Sequence, residues 1–405
     1  MARAKVKQTF RDRVETAMKT VKSPTFHLEF SNIDKWISAG NYAMNRFWSG
    51  RFDRSLLFGR NYILYGESGS GKSLMAAWFA AAAQKEHNAL VVWIDVEKAT
   101  DDEAGKAWLV RAGVDVNNMI YATAATLEEI KTVISEIAST YRESVNAEGD
   151  DKVELQPILF VVDSWSAAMT KSQWEYAEKG KIVGDQGQKA KQTGDVILSA
   201  THLVGGIPVM IIGTMHIMDN QDGHGRRHKI TGGNKALYMA SGALLLTKSE
   251  LKDLDADDKE IVEAYKELRK GFTEELRKKF TYGKVIGITC KMEILKSRVS
   301  KPFEQIEIQI PYVGGLDKYA GLFDLLMQEG LFKKGESSWY NYTYPGEKDP
   351  TKFQKANFVS GGHADRLMAM SDMDIGDDKK DAPIPDIVAD NNGLLFAAIN
   401  EGKTE

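Results

Sequence analysis

The sequence predicts an α/β fold with a mostly parallel sheet, helices on both faces and an antiparallel extension. Apolar or β-branched runs at 62–65, 89–95, 157–163, 208–216 and 243–247 are typical of buried parallel strands. Long helical patterns, notably 127–142 and 187–203, separate most of these runs. Alternating polar and apolar residues at 285–295 and 305–312 predict the antiparallel strands.

The composition is typical of a globular protein. The chain has 405 residues, 43% of them hydrophobic and 27% charged, enough for one large core with accessory segments. The longest apolar run, 76–83, is too short to span a membrane, and no secretory signal is apparent. Cys290 is the only cysteine, which excludes an internal disulfide and fits a reducing compartment. We therefore expect a cytoplasmic protein.

Charge is concentrated at the two ends of the sequence. Residues 1–22 contain seven Lys or Arg against Asp12 and Glu15, whereas residues 371–405 contain nine acidic residues against three lysines. A polyanion-binding body with an acidic tail would have this pattern, and so would two ordinary solvated termini. Composition alone slightly favours the solvated termini.

Residues 61–73 carry the most informative motif, in which Gly66, Gly71, Lys72 and Ser73 fit the pattern G-x-x-x-x-G-K-[ST]. Glycines let backbone N–H groups surround a phosphate, the lysine reaches the β and γ phosphates, and the hydroxyl ligates Mg²⁺. An apolar run precedes the motif and a helical pattern follows it, which favours a nucleotide site over a chance glycine-rich turn. The predicted binding residues are Gly66, Glu67, Ser68, Gly69, Ser70, Gly71, Lys72 and Ser73.

Two acids follow predicted strands. Asp163 ends the run 157–163 and would hold Mg²⁺ through water, although a helix cap is an alternative. Glu97 lies two residues past the run 89–95 and is the predicted base, although a surface acid is an alternative. Because the carboxyl ends of parallel strands meet at one edge of a sheet, both acids are expected there.

Several segments, in order, resemble the RecA-type recombinases, including the phage UvsX branch. They are Trp-Ile-Asp-Val-Glu-Lys-Ala at 93–99, Ala-Gly-Val-Asp-Val-Asn-Asn at 112–118, Thr-Gly-Gly-Asn-Lys-Ala-Leu at 231–237, Lys-Ser-Arg at 296–298 and Ser-Trp-Tyr-Asn-Tyr at 338–342. The resemblance extends from about residue 37 to residue 357. It implies a RecA-like P-loop ATPase core.

The resemblance also implies roles for single residues. Glu97 would be the general base, Asp163 the metal acid, and Asp101 a contact of the adenine. His216 would sense the γ-phosphate, and a histidine at this position is similar to the UvsX branch. Lys296 and Arg298 would neutralise transition-state charge on the ATP of the neighbouring subunit.

Two basic loops are expected to bind DNA, because they match the loops that hold DNA in this family. The first, 178–192, contains Lys179, Lys181, Lys189 and Lys191. The second, 217–231, contains Arg226, Arg227 and Lys229, and Gly232, Gly233 and Asn234 follow it. A basic loop alone is usually a solvated surface, but the second loop directly follows the predicted nucleotide sensor. That position favours contact with a phosphate backbone.

The predicted function is that of a DNA-dependent ATPase that forms filaments on single-stranded DNA and catalyses homologous pairing and strand exchange, with ATP and Mg²⁺. Expected partners are single-stranded DNA, homologous duplex DNA, further copies of the chain in a filament or ring, and single-strand-binding and mediator proteins, with no membrane. A hexameric DNA helicase or motor and an ATP-dependent assembly scaffold are the alternatives. For a phage protein the location would be the interior of the infected cell.

Four segments are predicted along the chain. Residues 1–36 form a basic, helical oligomerisation arm, and residues 37–316 form the ATPase core. Residues 317–370 form a small helical C-terminal module with aromatic residues, and residues 371–405 form an acidic, disordered tail. Within the core, a charged helix is expected between Glu250 and Lys284.

Overall fold

The computed structural model describes Val14, Met18 and residues 33–145, 154–182, 187–220, 228–253, 284–300, 303–312, 315–344 and 347–372. Nearly all of the predicted N-terminal arm and acidic tail lie outside these residues. Among the residues described, no helix has the length and apolar character needed to cross a membrane.

The described chain alternates between strands and helices. Up to residue 163 the elements are β1 (Trp36–Ile37), α1 (Tyr42–Ser49), β2 (Leu56–Leu57), β3 (Asn61–Gly66), α2 (Lys72–His87), β4 (Leu90–Asp95), α3 (Glu103–Arg111), β5 (Met119–Thr123), α4 (Leu127–Val145) and β6 (Ile158–Asp163). After it they are α5 (Lys171–Glu178), α6 (Gln188–Val204), β7 (Val209–Asp219), β8 (His228–Ile230), α7 (Gly233–Met239), β9 (Gly242–Asp253), β10 (Lys284–Ser297), β11 (Gln305–Pro311), α8 (Leu322–Gln328), β12 (Lys333–Lys334), β13 (Trp339–Tyr342), β14 (Thr351–Gln354) and α9 (His363–Asp372).

The chain divides into two compact units. Of the described residues, the first contains those within 1–36, 57–64 and 83–242, and the second contains those within 37–56, 65–82 and 243–372. In the first unit the strand order is β3-β7-β6-β4-β5. Strands β4, β5, β6 and β7 pair in parallel, which confirms the predicted parallel sheet.

Burial explains why most of these strands were predictable. Every residue of β6, and all of β4 except Leu90, is buried, as expected for apolar strands covered on both faces. Strand β5 was not predicted from the sequence. Its residues are half-buried or exposed, so the segment lacks a continuous apolar run.

The helix α4 packs one face in the core of the first unit. Its buried side chains recur at helical spacing and are Leu127, Ile130, Ile134, Ala138 and Tyr141. A capping box begins this helix: the Glu129 N–H donates to Thr126 Oγ1 at 3.2 Å, and the Thr126 N–H donates to Glu129 Oε2 at 3.0 Å. Local hydrogen bonds therefore fix the start of the helix.

The second predicted DNA-binding loop is shorter than expected. Strand β7 continues to Asp219 and pairs antiparallel with β8, so a β-hairpin replaces the two ends of the predicted loop. Ile217 lies opposite Ile230, and Met218 lies opposite Lys229. The Ile217–Ile230 pair joins two β-branched side chains, which favours strand over loop.

In the second unit the strand order includes β11-β10-β9, and β10 pairs antiparallel with β11. This pairing confirms the antiparallel extension. The expected helix start at Glu250 is wrong, because β9 continues to Asp253. Glu250 and Lys252, two residues apart on one strand face, form an ion pair at 2.9 Å. Lys284 begins β10, and residues 254–283 of the expected helix lie outside the described residues.

The C-terminal module is not purely helical, which corrects the prediction. The helices α8 and α9 accompany a three-stranded antiparallel sheet of β12, β13 and β14. Phe323 contacts the rings of Phe332, Phe353 and Phe358 in its core. The β13 sequence Trp-Tyr-Asn-Tyr is rich in aromatic residues, which are common in strands.

Candidate functional site

The predicted phosphate loop connects β3 with α2. Gly69 and Gly71 have φ of +70° and +94°, which favour glycine. A Cβ on Gly66 would lie 2.6 Å from the Leu246 carbonyl oxygen, so this position also requires glycine. The order strand, loop, helix is that of the phosphate-binding motif.

Lys72 points into this loop. Its side chain is buried, and Nζ donates to the carbonyl oxygens of Gly66 at 3.0 Å and Glu67 at 2.7 Å. Lys72 is also the first residue of α2, where free N–H groups and the helix dipole favour an anion. The loop thus combines an ammonium group with a helix N-terminus.

A second ammonium group, from Lys248 of β9, contacts the same loop. Its Nζ donates to the Ser68 carbonyl oxygen at 2.6 Å. A Cβ on Gly69 would lie 2.7 Å from that nitrogen. Sequence reasoning missed Lys248, because no motif includes it and its contact spans 180 positions. Beneath the loop, burial raises the pKa of Cys290 to about 12.

Glu97 and Asp163 meet at the carboxyl ends of β4 and β6, as the sequence predicted. Asp95 lies opposite Asp163 in the parallel register, and the Glu97 N–H donates to the Asp163 carbonyl oxygen at 3.3 Å. The Glu97 carboxylate accepts a hydrogen bond from Ser164 Oγ at 2.7 Å, and His216 Nε2 lies 2.9 Å from the same oxygen. Glu97 is therefore held by two groups and is not an unattached surface acid.

Asp163 is buried, and its carboxylate accepts a hydrogen bond from the Thr214 hydroxyl. Thr170, rather than Asp163, caps the helix α5 that follows. The helix-cap alternative is therefore wrong for this helix. Carboxylate and hydroxyl oxygens are ligands that Mg²⁺ accepts. Asp163 supplies a carboxylate in the first unit, and Ser73 supplies a hydroxyl in the second.

The turn that carries Glu97 is fixed by Asp95. This buried carboxylate accepts hydrogen bonds at 2.8 Å from both the backbone N–H and the hydroxyl of Thr100, and at 2.7 Å from the Tyr121 hydroxyl. Desolvation and the hydrogen bond to Asp95 raise the pKa of Tyr121. Asp101, the predicted adenine contact, follows this turn and is exposed.

The first predicted DNA-binding loop is also shorter than expected. Lys179 and Lys181 are exposed after α5, but Lys189 and Lys191 lie in the first turn of α6, which begins after Gly187 with φ +76°. Lys189 Nζ donates to the Ser166 carbonyl oxygen at 2.8 Å. A hydrogen bond thus connects the first turn of α6 to the segment that follows Asp163.

Part of the second predicted DNA-binding segment lies within the described residues. Arg226 and Arg227 lie outside the described residues, and Lys229 is exposed on β8. Gly232 and Gly233 have φ of +75° and +70° at the start of α7, where Asn234 is exposed. A hydrogen bond connects the segment to β7: the Thr231 hydroxyl donates to the His216 carbonyl oxygen at 2.6 Å.

Lys296 and Arg298 lie at and just after the end of β10, in the second unit. Lys296 is half-buried and Arg298 is exposed. Desolvation, and then the charge of Arg298, lower the pKa of Lys296. Their action on a neighbouring subunit stays a prediction.

The described residues contain no cluster of three or more His, Cys, Asp or Glu side chains that could hold a metal ion by themselves. A nucleotide-bound Mg²⁺ needs no such cluster, since protein sites of this kind supply one or two oxygens and phosphates and water supply the rest. Ser73 and Asp163 each have an oxygen of the kind that such an ion binds.

A largely parallel α/β sheet with a glycine-rich, lysine-containing loop after its first long strand defines the class of P-loop proteins. Several curated relatives called Protein RecA are similar to this chain. Two, from strains of Cereibacter sphaeroides, are 26% identical over 338 residues, which is 81% of this chain and 84% and 80% of those proteins. Another, from Clostridioides difficile, is 25% identical over 290 residues, 70% of this chain and 68% of that protein.

No protein-family model matches the chain. The chain nevertheless has RecA-family homologues at 24–26% identity over most of its length. Its fold, with a largely parallel sheet and an antiparallel extension, agrees with a RecA-like core, as the sequence predicted.

Proposed function

We propose that this protein is a DNA-dependent ATPase that forms helical filaments on single-stranded DNA and catalyses homologous pairing and strand exchange. The contact of His216 with Glu97 carries this proposal. Glu97 is the residue suited to activate water, and His216 lies on β7, which continues directly into the basic hairpin formed with β8. One hydrogen bond thus links a hydrolytic acid to a predicted DNA-binding segment.

The phosphate loop would bind the ATP phosphates through its backbone N–H groups and Lys72. In the present arrangement the Lys72 ammonium contacts two loop carbonyl oxygens, and phosphate oxygens would replace these partners. Ser73 and Asp163 would hold Mg²⁺, which neutralises phosphate charge when bound. Glu97 would orient the attacking water and accept its proton.

DNA would act through the hairpin. With His216 against Glu97, one carboxylate oxygen already has a histidine partner and a serine partner. A shift of β7 on DNA binding would change these contacts and so the basicity and orientation of Glu97. This coupling would make hydrolysis depend on DNA.

Assembly would complete the site. Lys296 and Arg298 would act on the ATP of a neighbouring copy, and such basic residues contribute on the order of 10³ to 10⁵ in rate. The relatives support the proposal by their name, Protein RecA. The histidine at 216 supports the phage UvsX-like branch, with action in the cytoplasm of an infected cell and with single-strand-binding and mediator proteins as partners.

The test is ATP hydrolysis with and without single-stranded DNA at several protein concentrations. We expect stimulation by DNA and a rate per molecule that rises steeply with concentration, because the site is completed between copies. Electron microscopy of the same samples should show helical filaments. Rings would favour the helicase alternative, and hydrolysis indifferent to DNA would favour the assembly scaffold.

A further inference from the structure

Two serines beside the predicted base form a closed circuit of hydrogen bonds with it. Ser164 Oγ donates to Glu97 Oε1 at 2.7 Å, and Ser166 Oγ lies 3.1 Å from Ser164 Oγ. The backbone N–H of His216 donates to Ser166 Oγ at 3.0 Å, and the imidazole of His216 lies 2.9 Å from Glu97 Oε1. We call the path from the His216 backbone through Ser166 and Ser164 to Glu97 the serine relay.

The chemistry of its ends fixes the direction of every hydrogen bond in the serine relay. A backbone N–H can only donate and an ionised carboxylate can only accept. The Ser164 hydroxyl therefore donates its hydrogen bond to Glu97, and the Ser166 hydroxyl must donate its hydrogen bond to Ser164. Hydrogen bonds that run in one direction polarise one another, so loss of one weakens the next.

Ser166 also connects to the other predicted DNA-binding segment. Its carbonyl oxygen accepts the hydrogen bond from Lys189, in the first turn of α6. Its hydroxyl accepts the hydrogen bond from the His216 backbone, and the His216 carbonyl oxygen in turn accepts one from Thr231. Both predicted DNA-binding segments thus reach one serine, which is two hydrogen bonds away from Glu97.

We propose that Ser166, acting through Ser164, is a positioning residue that transmits the state of both DNA-binding segments to Glu97 by a path separate from the His216 imidazole. This inference rests on the proposed function, because it concerns how DNA stimulates hydrolysis. A movement of β7 or of α6 changes the donor that reaches Ser166. The change then alters how firmly Ser164 holds the carboxylate.

A purely structural role for these serines makes different predictions. Ser164 is fully buried, and its oxygen also accepts the Ala167 N–H at 3.3 Å, as a turn-forming serine would. Loss of a structural hydroxyl would lower thermal stability and affect hydrolysis equally with and without DNA. A relay changes the ratio of the two rates.

The experiment compares wild type with Ser166→Ala, Ser166→Thr and, as a matched control, Ser172→Ala. The Ser172 hydroxyl contacts Thr170, 3.0 Å away at the start of α5, and has no part in the relay. For each protein, kcat and KM for ATP are measured with and without single-stranded DNA, and DNA affinity is measured separately by fluorescence anisotropy. Hydrogen–deuterium exchange of peptides that contain residue 216 is followed without ATP or DNA.

For Ser166→Ala we expect the ratio of kcat with DNA to kcat without DNA to fall about fivefold to tenfold, the scale of one hydrogen bond. KM and DNA affinity should change less than about twofold, and the amide of residue 216 should exchange faster because its acceptor is gone. Ser166→Thr keeps a hydroxyl and should restore most of the ratio. Ser172→Ala should behave like wild type.

Two outcomes would overturn the inference. Ser166→Ala could keep the wild-type ratio, either with unchanged kcat values or with both lowered equally, or its amide at residue 216 could exchange at the wild-type rate. If wild type itself shows no stimulation by DNA, the proposed function fails and the relay falls with it. A stimulated wild type with an equally stimulated Ser166→Ala variant removes only the relay.

Discussion

The phosphate loop and the serine relay are built in opposite ways. The loop consists of consecutive residues, and the Lys72 ammonium bonds to carbonyl oxygens of its own loop. The relay joins three strand ends, and its histidine and glutamate are 119 positions apart. A continuous motif is visible in the sequence, whereas an assembled one exists only once the register of the parallel strands is set.

The difference also separates what each region needs from the rest of the protein. The loop needs a glycine with positive φ at Gly71, and it needs a glycine at Gly66 because the backbone of another segment packs closely there. The relay needs Asp95 opposite Asp163 and Val162 opposite Gly213, because these registers place the strand ends together. A slip in pairing would leave the loop sequence intact and separate the relay residues.

The largest expected effect tests whether the phosphate loop and the serine relay of one chain are sufficient for ATP hydrolysis without the basic pair Lys296 and Arg298. We expect Lys296→Ala with Arg298→Ala to lower DNA-stimulated kcat by on the order of 10³ to 10⁵, because the charge that neutralises the transition state is lost. Steady-state hydrolysis at saturating ATP measures this effect.

Mixing experiments give the control for this prediction. A Lys72→Ala protein cannot use its own loop but keeps Lys296 and Arg298. If the basic pair acts on a neighbour, mixing the two inactive proteins on DNA should recover part of the activity. Activity that stays absent in the mixture would mean that the pair serves its own chain or only folding.

The next effect separates the two regions from each other. Glu97→Gln removes the base but keeps its size, and we expect kcat to fall by about 10² to 10⁴. Binding of a fluorescent ATP analogue should stay within about twofold of wild type, because the loop is unchanged. Glu129→Gln, a change of another carboxylate in the first unit, is the matched control and should leave hydrolysis unaltered. Normal turnover by Glu97→Gln would remove the proposed base.

The same contrast explains which parts of the site could be predicted. Residues 66–73, Glu97 and Asp163 could be proposed from the sequence, because the first form a short motif and the two acids lie at or shortly after the end of an apolar strand. Ser164, Ser166, Thr214 and Lys248 could not. Serine, threonine and lysine are common surface residues. Only the folded chain brings Ser164 and Thr214 to carboxylates, Ser166 to the His216 backbone and Lys248 to the loop.

The fold shows the same limit. Buried strands such as β4 and β6 have continuous apolar runs, and their prediction is confirmed. The pairing of β7 with β8 and the sheet of the C-terminal module were missed, because β8 and the strands of that module are short and partly exposed. Where a segment is only partly buried, its pairing with a distant segment determines whether it forms a strand, and its local sequence does not.

A smaller effect tests whether the residues of the phosphate-loop motif are sufficient for ATP binding. Lys248→Ala removes the ammonium that contacts the Ser68 carbonyl oxygen, and we expect the KM for ATP to rise about fivefold to tenfold, the scale of one charge-assisted hydrogen bond. Lys252→Ala, on the same strand but paired with Glu250, is the control. An unchanged KM would leave the consecutive motif as sufficient for the loop.

The smallest effect concerns a carboxylate whose role is local. Glu129 accepts N–H donors from Ala125 at 2.8 Å and Thr126 at 3.0 Å at the start of α4, whereas Glu97 is held by distant residues. We expect Glu129→Ala to lower the free energy of unfolding by about 1 kcal/mol at neutral pH, the usual scale of a helix cap, with unaltered kcat. Urea unfolding measures the difference.

The pH dependence of that difference tests its origin. The hydrogen bond from the Ala125 N–H makes the largest contribution to lowering the pKa of Glu129 below its ordinary value of 4.5. A carboxyl group with a lowered pKa in the folded state stabilises the protein above its unfolded pKa, and this contribution disappears as the pH falls through the folded pKa. The destabilisation by Glu129→Ala should therefore shrink below pH 4.5. A constant difference across that range would mean that packing of the side chain, and not its charge, stabilises the helix start.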